Sequence, residues 1–116
     1  MALILCVGLD HELAEKRMKI LEKEGHTVIP VFNQKELATA CQSHNFDVVV
    51  LGHSLSSRMK IHIAELIRQH CKGCRILELY PMSQGRGLVT ADSWIAVQKD
   101  VSPELAHKVN ELVKAC

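Results

Sequence analysis

The sequence predicts a doubly wound α/β domain built on one parallel sheet, and three observations carry that expectation. Short apolar runs alternate with amphipathic helical stretches along the whole chain. The strand-like runs are solidly apolar rather than alternating, as expected where helices cover both faces of a sheet. The second of them contains Pro30, which cannot donate to a central ladder and belongs at a sheet edge.

Taken in order, Leu3 to Val7 is the first strand. Asp10 is a candidate N-cap for a helix from His11 to Glu24. Leu13, Ala14, Arg17, Met18, Ile20 and Leu21 form one broad face of that helix, and Gly25 falls where a C-cap is wanted. Val28 to Phe32 is the second strand. Asn33 caps a helix running to about His44, with Leu37, Ala38, Ala40 and Cys41 apolar. Asp47 to Leu51, DVVVL, is the most strand-like run and is expected at the sheet centre. A third helix covers Arg58 to Cys71, with Ile63, Ala64 and Ile67 facing inward.

Arg75 to Leu79 is the fourth strand and Trp94 to Val97 the fifth. Pro81 to Asp92, between them, holds Pro, Ser and two Gly, so any helix there is short or irregular. In the final helix Ser102 is the N-cap and Pro103 the first helical residue. Leu105, Val109, Leu112, Val113 and Cys116 share its apolar face. The element order is (βα)5. Right-handed crossovers then give a flavodoxin-like sheet of order 2-1-3-4-5, which leaves the strand with Pro30 at an edge. No linker or internal repeat divides residues 1–116, so one domain is expected.

Composition narrows the function. Of 116 residues, 47% are hydrophobic and 23% charged, with a formal net charge of +1, so no basic surface for nucleic acid is expected. The aromatics are one Trp, one Tyr and two Phe, too few for a base-stacking platform. No apolar run approaches bilayer thickness, and the opening MALILCVGLD lacks the basic start of a signal peptide. The five cysteines are odd in number, and Cys6, Cys41 and Cys71 lie inside strand or helix patterns. Reduced, buried thiols in a cytoplasmic protein are therefore expected.

In such sheets the site lies beyond the carboxyl ends of the strands, at the switch point between strands one and three. That points to Gly8, Leu9 and Asp10, and to Gly52, His53 and Ser54. It also points to Tyr80 and Pro81 after strand four, and to Gln98, Lys99 and Asp100 after strand five. The segment ILCVGLDHELAEKRMKILEKEGHTV resembles the opening of a response-regulator receiver (CheY-like) domain, ILVVDDDPDLRELLRRLLEREGYEV. DVVVLGHSLS is similar to the family's DLVLLDxxMP strand, and VQKDVSPELAHKVNELV to its LTKPFSPEEL ending. The likeness covers essentially the whole chain.

The resemblance implies a chemistry that the residues do not supply. A working receiver accepts a phosphoryl group on an aspartate ending strand three. That aspartate and an acidic pair after strand one hold Mg²⁺, because a hard cation needs carboxylate oxygens. A hydroxyl after strand four and a lysine after strand five engage the phosphoryl oxygens. Here the acceptor position is Gly52, the acidic pair is Gly8 and Leu9, the hydroxyl position is Tyr80, and the aromatic switch position is Ala96. Only Lys99 matches. Asp10 is nearby, but one carboxylate rarely holds Mg²⁺ alone, so Mg²⁺ binding is expected to be lost and no cofactor is expected. The sequence reads as a pseudo-receiver.

Several other residues bear groups capable of chemistry. Lys99 has two readings: an anion-binding cation in the switch-point cleft, or an inherited lysine paired with Asp10 or Glu78. Glu78, a carboxylate in a covered strand, reads as a structural counter-charge for Lys99, Arg58 or a histidine, unless it is exposed. His53 reads as a surface histidine. Cys71-Lys72-Gly73-Cys74 has redox spacing but sits at a helix C-terminus, where the dipole opposes a thiolate. A zinc site using His70, Cys71 and Cys74 lacks an obvious fourth ligand. Gly85-Arg86-Gly87 reads as a loop and not a nucleotide motif. Cys6 lies inside its strand, not in the loop after it as in phosphocysteine domains.

The functional expectation is a non-enzymatic, phosphorylation-independent receiver of the two-component kind, acting by protein–protein contact. No output domain is expected after Cys116, so a signal is expected to leave through a surface. In the family that surface maps here onto Ala91 to Val97 and the exposed side of Pro103 to Lys114. Trp94, Glu104, Lys108 and Glu111 are its candidate contacts, with Lys114 beside them. A protein partner or a homodimer through that face is expected, with Trp94 as an anchor. The second reading is a small-anion or nucleotide-binding domain using the cleft and Lys99.

Overall fold

The computed structural model describes residues 2–70, 73–81, 83, 85, 87–88, 90–97 and 104–114. Five strands, β1 (Leu3–Val7), β2 (Thr27–Val31), β3 (Val48–Leu51), β4 (Arg75–Pro81) and β5 (Ser93–Val97), form one parallel sheet of order β2-β1-β3-β4-β5. The edge position of β2 agrees with Pro30, and β3 is central. Four helices are described: α1 (His11–Lys23), α2 (Gln34–Ser43), α3 (Ser57–His70) and α4 (Glu104–Lys114). The expected boundaries hold within one or two residues. Ser102 and Pro103, the expected start of the last helix, lie outside the described residues, as does Cys71.

The caps expected from sequence form. The Asp10 carboxylate accepts from the backbone N–H of Glu12 at 3.0 Å and of Leu13 at 3.2 Å, closing the open end of α1. Asn33 Oδ1 accepts from Glu36 N at 2.8 Å, and Glu36 Oε1 accepts from Phe32 N at 2.8 Å. Gly25, at φ 88°, takes the left-handed conformation that ends α1.

Because side chains alternate along each strand, the sheet divides the core in two. Leu5, Val7, Val49, Leu51 and Ile76 pack with α2 and α3 residues such as Leu37, Ile63 and Ile67. Ile4, Cys6, Val48, Val50, Leu77 and Leu79 pack on the other face with Leu21, Leu105, Val109 and Leu112. The solidly apolar strands are thus covered on both sides, as their sequences require.

One connection departs from the (βα)5 repeat. Among the described residues, no helix joins β4 to β5. Leu88 and Ala91 instead fold the connection onto the sheet as buried residues, and the Trp94 indole N–H donates to Leu88 O at 2.8 Å. Asp92 finishes the segment, accepting from Ile76 N at 2.7 Å and from Arg68 at 3.1 Å.

Candidate functional site

The carboxyl ends of β1 and β3 meet where the switch point predicts. Gly52 N donates to Val7 O at 2.8 Å, and Leu9 N donates to Ser54 Oγ at 3.3 Å, so the two loops are joined directly. Gly8 and Gly52 are buried, while Leu9 stands 49% exposed. Tyr80 lies on β4 beside Ala96 of β5, half-buried, and Ala96 is exposed. Lys99, expected to match the lysine of the family's site, lies outside the described residues, as do Gln98 and Asp100.

The space between the two glycines belongs to Arg17. This α1 residue is buried, and its Nη1 lies 2.8 Å from where a Cβ on Gly52 would sit and 3.6 Å from one on Gly8. The same Gly52 Cβ would meet Val7 O at 3.1 Å. Glycine at 52 therefore leaves room for a guanidinium. Arg17 Nη2 lies 3.2 Å from His53 Nδ1. A guanidinium has only donors, so Nδ1 is the acceptor and the His53 proton sits on Nε2. Arg17 Nε is buried without a partner.

The electrostatics follow from burial. Desolvation lowers the Arg17 pKa, opposed by Cys6 and Asp10. Burial pushes the Cys6 thiol up to about 12 despite Arg17, so it is a neutral thiol near neutral pH and Asp10 is the effective anion. His53 is lowered from its ordinary 6.5, first by desolvation and then by Arg17 and Lys60. The expectation of a surface histidine is corrected: His53 is half-buried and hydrogen-bonded to a cation.

Glu78 also differs from expectation. It is fully buried, and its partner is Lys60, not Lys99, Arg58 or a histidine. Lys60 Nζ donates to Glu78 Oε2 at 2.7 Å and to Leu79 O at 2.9 Å. The same carboxylate accepts from Gly87 N at 2.8 Å and Leu88 N at 2.9 Å, which ties down the connection before β5. The signal for Lys60 was in the sequence, since it shares the helical stripe of Ile63, Ala64 and Ile67.

The donors described at this edge do not make a Mg²⁺ ligand set. Among the described residues the edge offers the Asp10 carboxylate, already engaged as a cap, beside a buried guanidinium of like charge to the metal. No group of three or more His, Cys, Asp or Glu residues among them is arranged for a metal. Cys74 is buried and Cys71 lies outside the described residues. Trp94 is half-buried against the core, and Lys108 and Glu111 form an exposed pair at 3.7 Å on α4. Glu104 is exposed at the start of α4. Among the described residues no helix is long and apolar enough to cross a membrane.

No protein-family model and no curated protein matches the sequence. Solved structures do. The response regulator TrrA from Thermotoga maritima, crystallised with Mg²⁺-BeF, is 26% identical, with 97% of this chain and 99% of that chain covered and a TM-score of 0.78. The receiver domain of Francisella response regulator 1452 is 20% identical, with 99% and 98% covered and a TM-score of 0.82. The fold is that of a receiver domain. A complex of TrrA with histidine kinase ThkA matches at 24% identity and a TM-score of 0.77, with 97% and 98% covered.

Proposed function

We propose that this chain is a phosphorylation-independent receiver, a signalling module acting through contact with another protein and not an enzyme. The observation behind this reading is the buried Arg17 guanidinium filling the space between Gly8 and Gly52. An aspartate at the phosphoacceptor position would bring its Cβ into that guanidinium, and a divalent cation would meet a fixed positive charge there. The chain thereby carries its own cation where working receivers bind one, and Mg²⁺ binding is lost. Partner contact is proposed through β5 and α4, at Trp94, Glu104, Lys108 and Glu111. That a receiver domain of this fold, TrrA, forms a complex with the histidine kinase ThkA supports a protein partner.

The test is an amide NMR titration with Mg²⁺ and beryllofluoride, followed by intact mass after incubation with acetyl phosphate. Amides of Gly8, Gly52 and His53 are expected to stay in place, with no phosphoryl mass added. Movement of those amides, or an added phosphoryl group, would sink the proposal. A parallel titration with inorganic phosphate addresses the small-anion reading, for which Lys99 was the sequence-based candidate.

A further inference from the structure

A groove lies beside α3, between it and the described residues of the β4–β5 connection. It has a volume of about 700 Å³, and its lining includes Ile61, Ala64, Glu65, Arg68, Gly87 and Leu88. Ile61, at its lip, is 48% exposed, one of three large exposed hydrophobic residues among those described. The other two, Leu9 and Met59, line a separate small pocket at the carboxyl edge.

The exposed face of α3 has a charge order that complements itself. Its inward stripe is Lys60, Ile63, Ala64 and Ile67. At 100° per residue the opposite, exposed face carries Arg58, Ile61, His62, Glu65 and Gln69. Arg58 and Glu65 lie equally far on either side of the midpoint between Ile61 and His62. If two copies of α3 pack antiparallel about that midpoint, each Arg58 falls opposite the other copy's Glu65, and the two Ile61 side chains meet across the dyad. Arg68 does not upset this balance, because Asp92 holds it at 3.1 Å.

We infer that α3 and its flanking groove form an isologous docking surface for a second copy of this chain. An isologous contact uses one patch twice, so both Arg58–Glu65 pairs form together. A single pair of 14-residue helices makes a small interface, below the roughly 1,200 Å² of a standard one, so the dimer is weak and concentration-dependent. The surface is separate from β5 and α4 and from the Arg17 site, so it stands whether or not the proposed function does.

Sedimentation equilibrium across micromolar to millimolar chain concentration tests it. Wild-type protein should rise toward the dimer mass, and added salt should lower it. Arg58→Glu and Glu65→Arg, each alone, should weaken association at least tenfold, because each sets like charges opposite twice. Both changes in one chain should restore it, as should mixing the two single variants. These exposed positions leave the fold intact, which circular dichroism would check. A wild-type protein that stays monomeric, or single reversals that leave association unchanged, would overturn the inference. So would a failure of both the doubly changed chain and the mixture to recover.

Discussion

Two buried cations sit on opposite faces of the sheet, and they are satisfied very differently. Lys60 comes from α3 and ends among a carboxylate and a carbonyl, while that carboxylate also takes two backbone N–H groups. Arg17 comes from α1 and reaches one neutral imidazole, with Nε unpartnered and the Asp10 carboxylate engaged as a helix cap. The first is a closed network that fixes the connection into β5. The second is a charge parked in a space that two glycines leave open. A buried charge stabilises a fold only when its partners are complete, so the two should respond oppositely to removal.

The largest effect is expected at Lys60. Lys60→Met removes the only side-chain cation bonded to Glu78 among the described residues and strands a fully buried carboxylate, at a cost of about 3–5 kcal/mol. Glu78→Gln in the same chain should recover more than half of that, because the amide oxygen still accepts a backbone N–H. Urea unfolding of the single and double variants measures both. If Lys60→Met unfolds no more readily than wild type, the network is not what holds this segment.

Next in size is Gly52→Ala. Its methyl meets Arg17 Nη1 at 2.8 Å and Val7 O at 3.1 Å, and overpacking of this kind costs about 1–3 kcal/mol. In an Arg17→Met background the first clash is relieved and the second remains. The cost should therefore shrink without vanishing, and a double-mutant cycle reads that coupling. Additive costs would mean that Arg17 does not occupy this space in solution.

Arg17→Met alone is expected to change stability by less than about 1 kcal/mol, because it trades one hydrogen bond to a neutral ring for the removal of an unpartnered buried donor. Set against Lys60→Met, this is the sharpest form of the comparison. Similar losses at the two positions would mean that Arg17 has stronger partners than the geometry shows.

How much of this was legible in the sequence follows the same division. Pro30, the apolar strands and the caps Asp10 and Asn33 act locally or through topology, so they were readable in order along the chain. Arg17 stood on the apolar face of its helix in the sequence, but nothing in a single chain shows that its end reaches past Gly8 to Gly52. That contact joins residues 35 positions apart. Glu78 was legible as an anomaly but its partner was not, because Lys60 lies on a helix stripe otherwise apolar and meets Glu78 only through the tertiary fold. The Gly and Pro content of the β4–β5 connection marks it as poor in helix, whereas its anchoring through Gly87 and Leu88 depends on the position of Glu78 in the fold.

The smallest effect concerns His53 and sharpens the Arg17 side of the comparison. Desolvation, Arg17 and Lys60 all hold its pKa below 6.5 in the folded state, with Asp10 opposing. The folded protein thus binds fewer protons at His53 than the unfolded chain does once pH falls below about 6.5. Above that value His53 is neutral in both states and contributes no slope. As pH falls through 6.5, the unfolded chain is protonated first and stability declines, levelling only below the folded-state pKa. His53→Asn keeps an acceptor for Arg17 Nη2 but cannot titrate, so its stability should fall less than wild type's on acidification. Denaturant midpoints of the two proteins, compared between pH 7.5 and 5, isolate this difference from the other six histidines. Should the wild type instead gain stability relative to His53→Asn in acid, the ring is protonated in the folded state, and Arg17 must point elsewhere, because an imidazolium cannot accept its hydrogen bond.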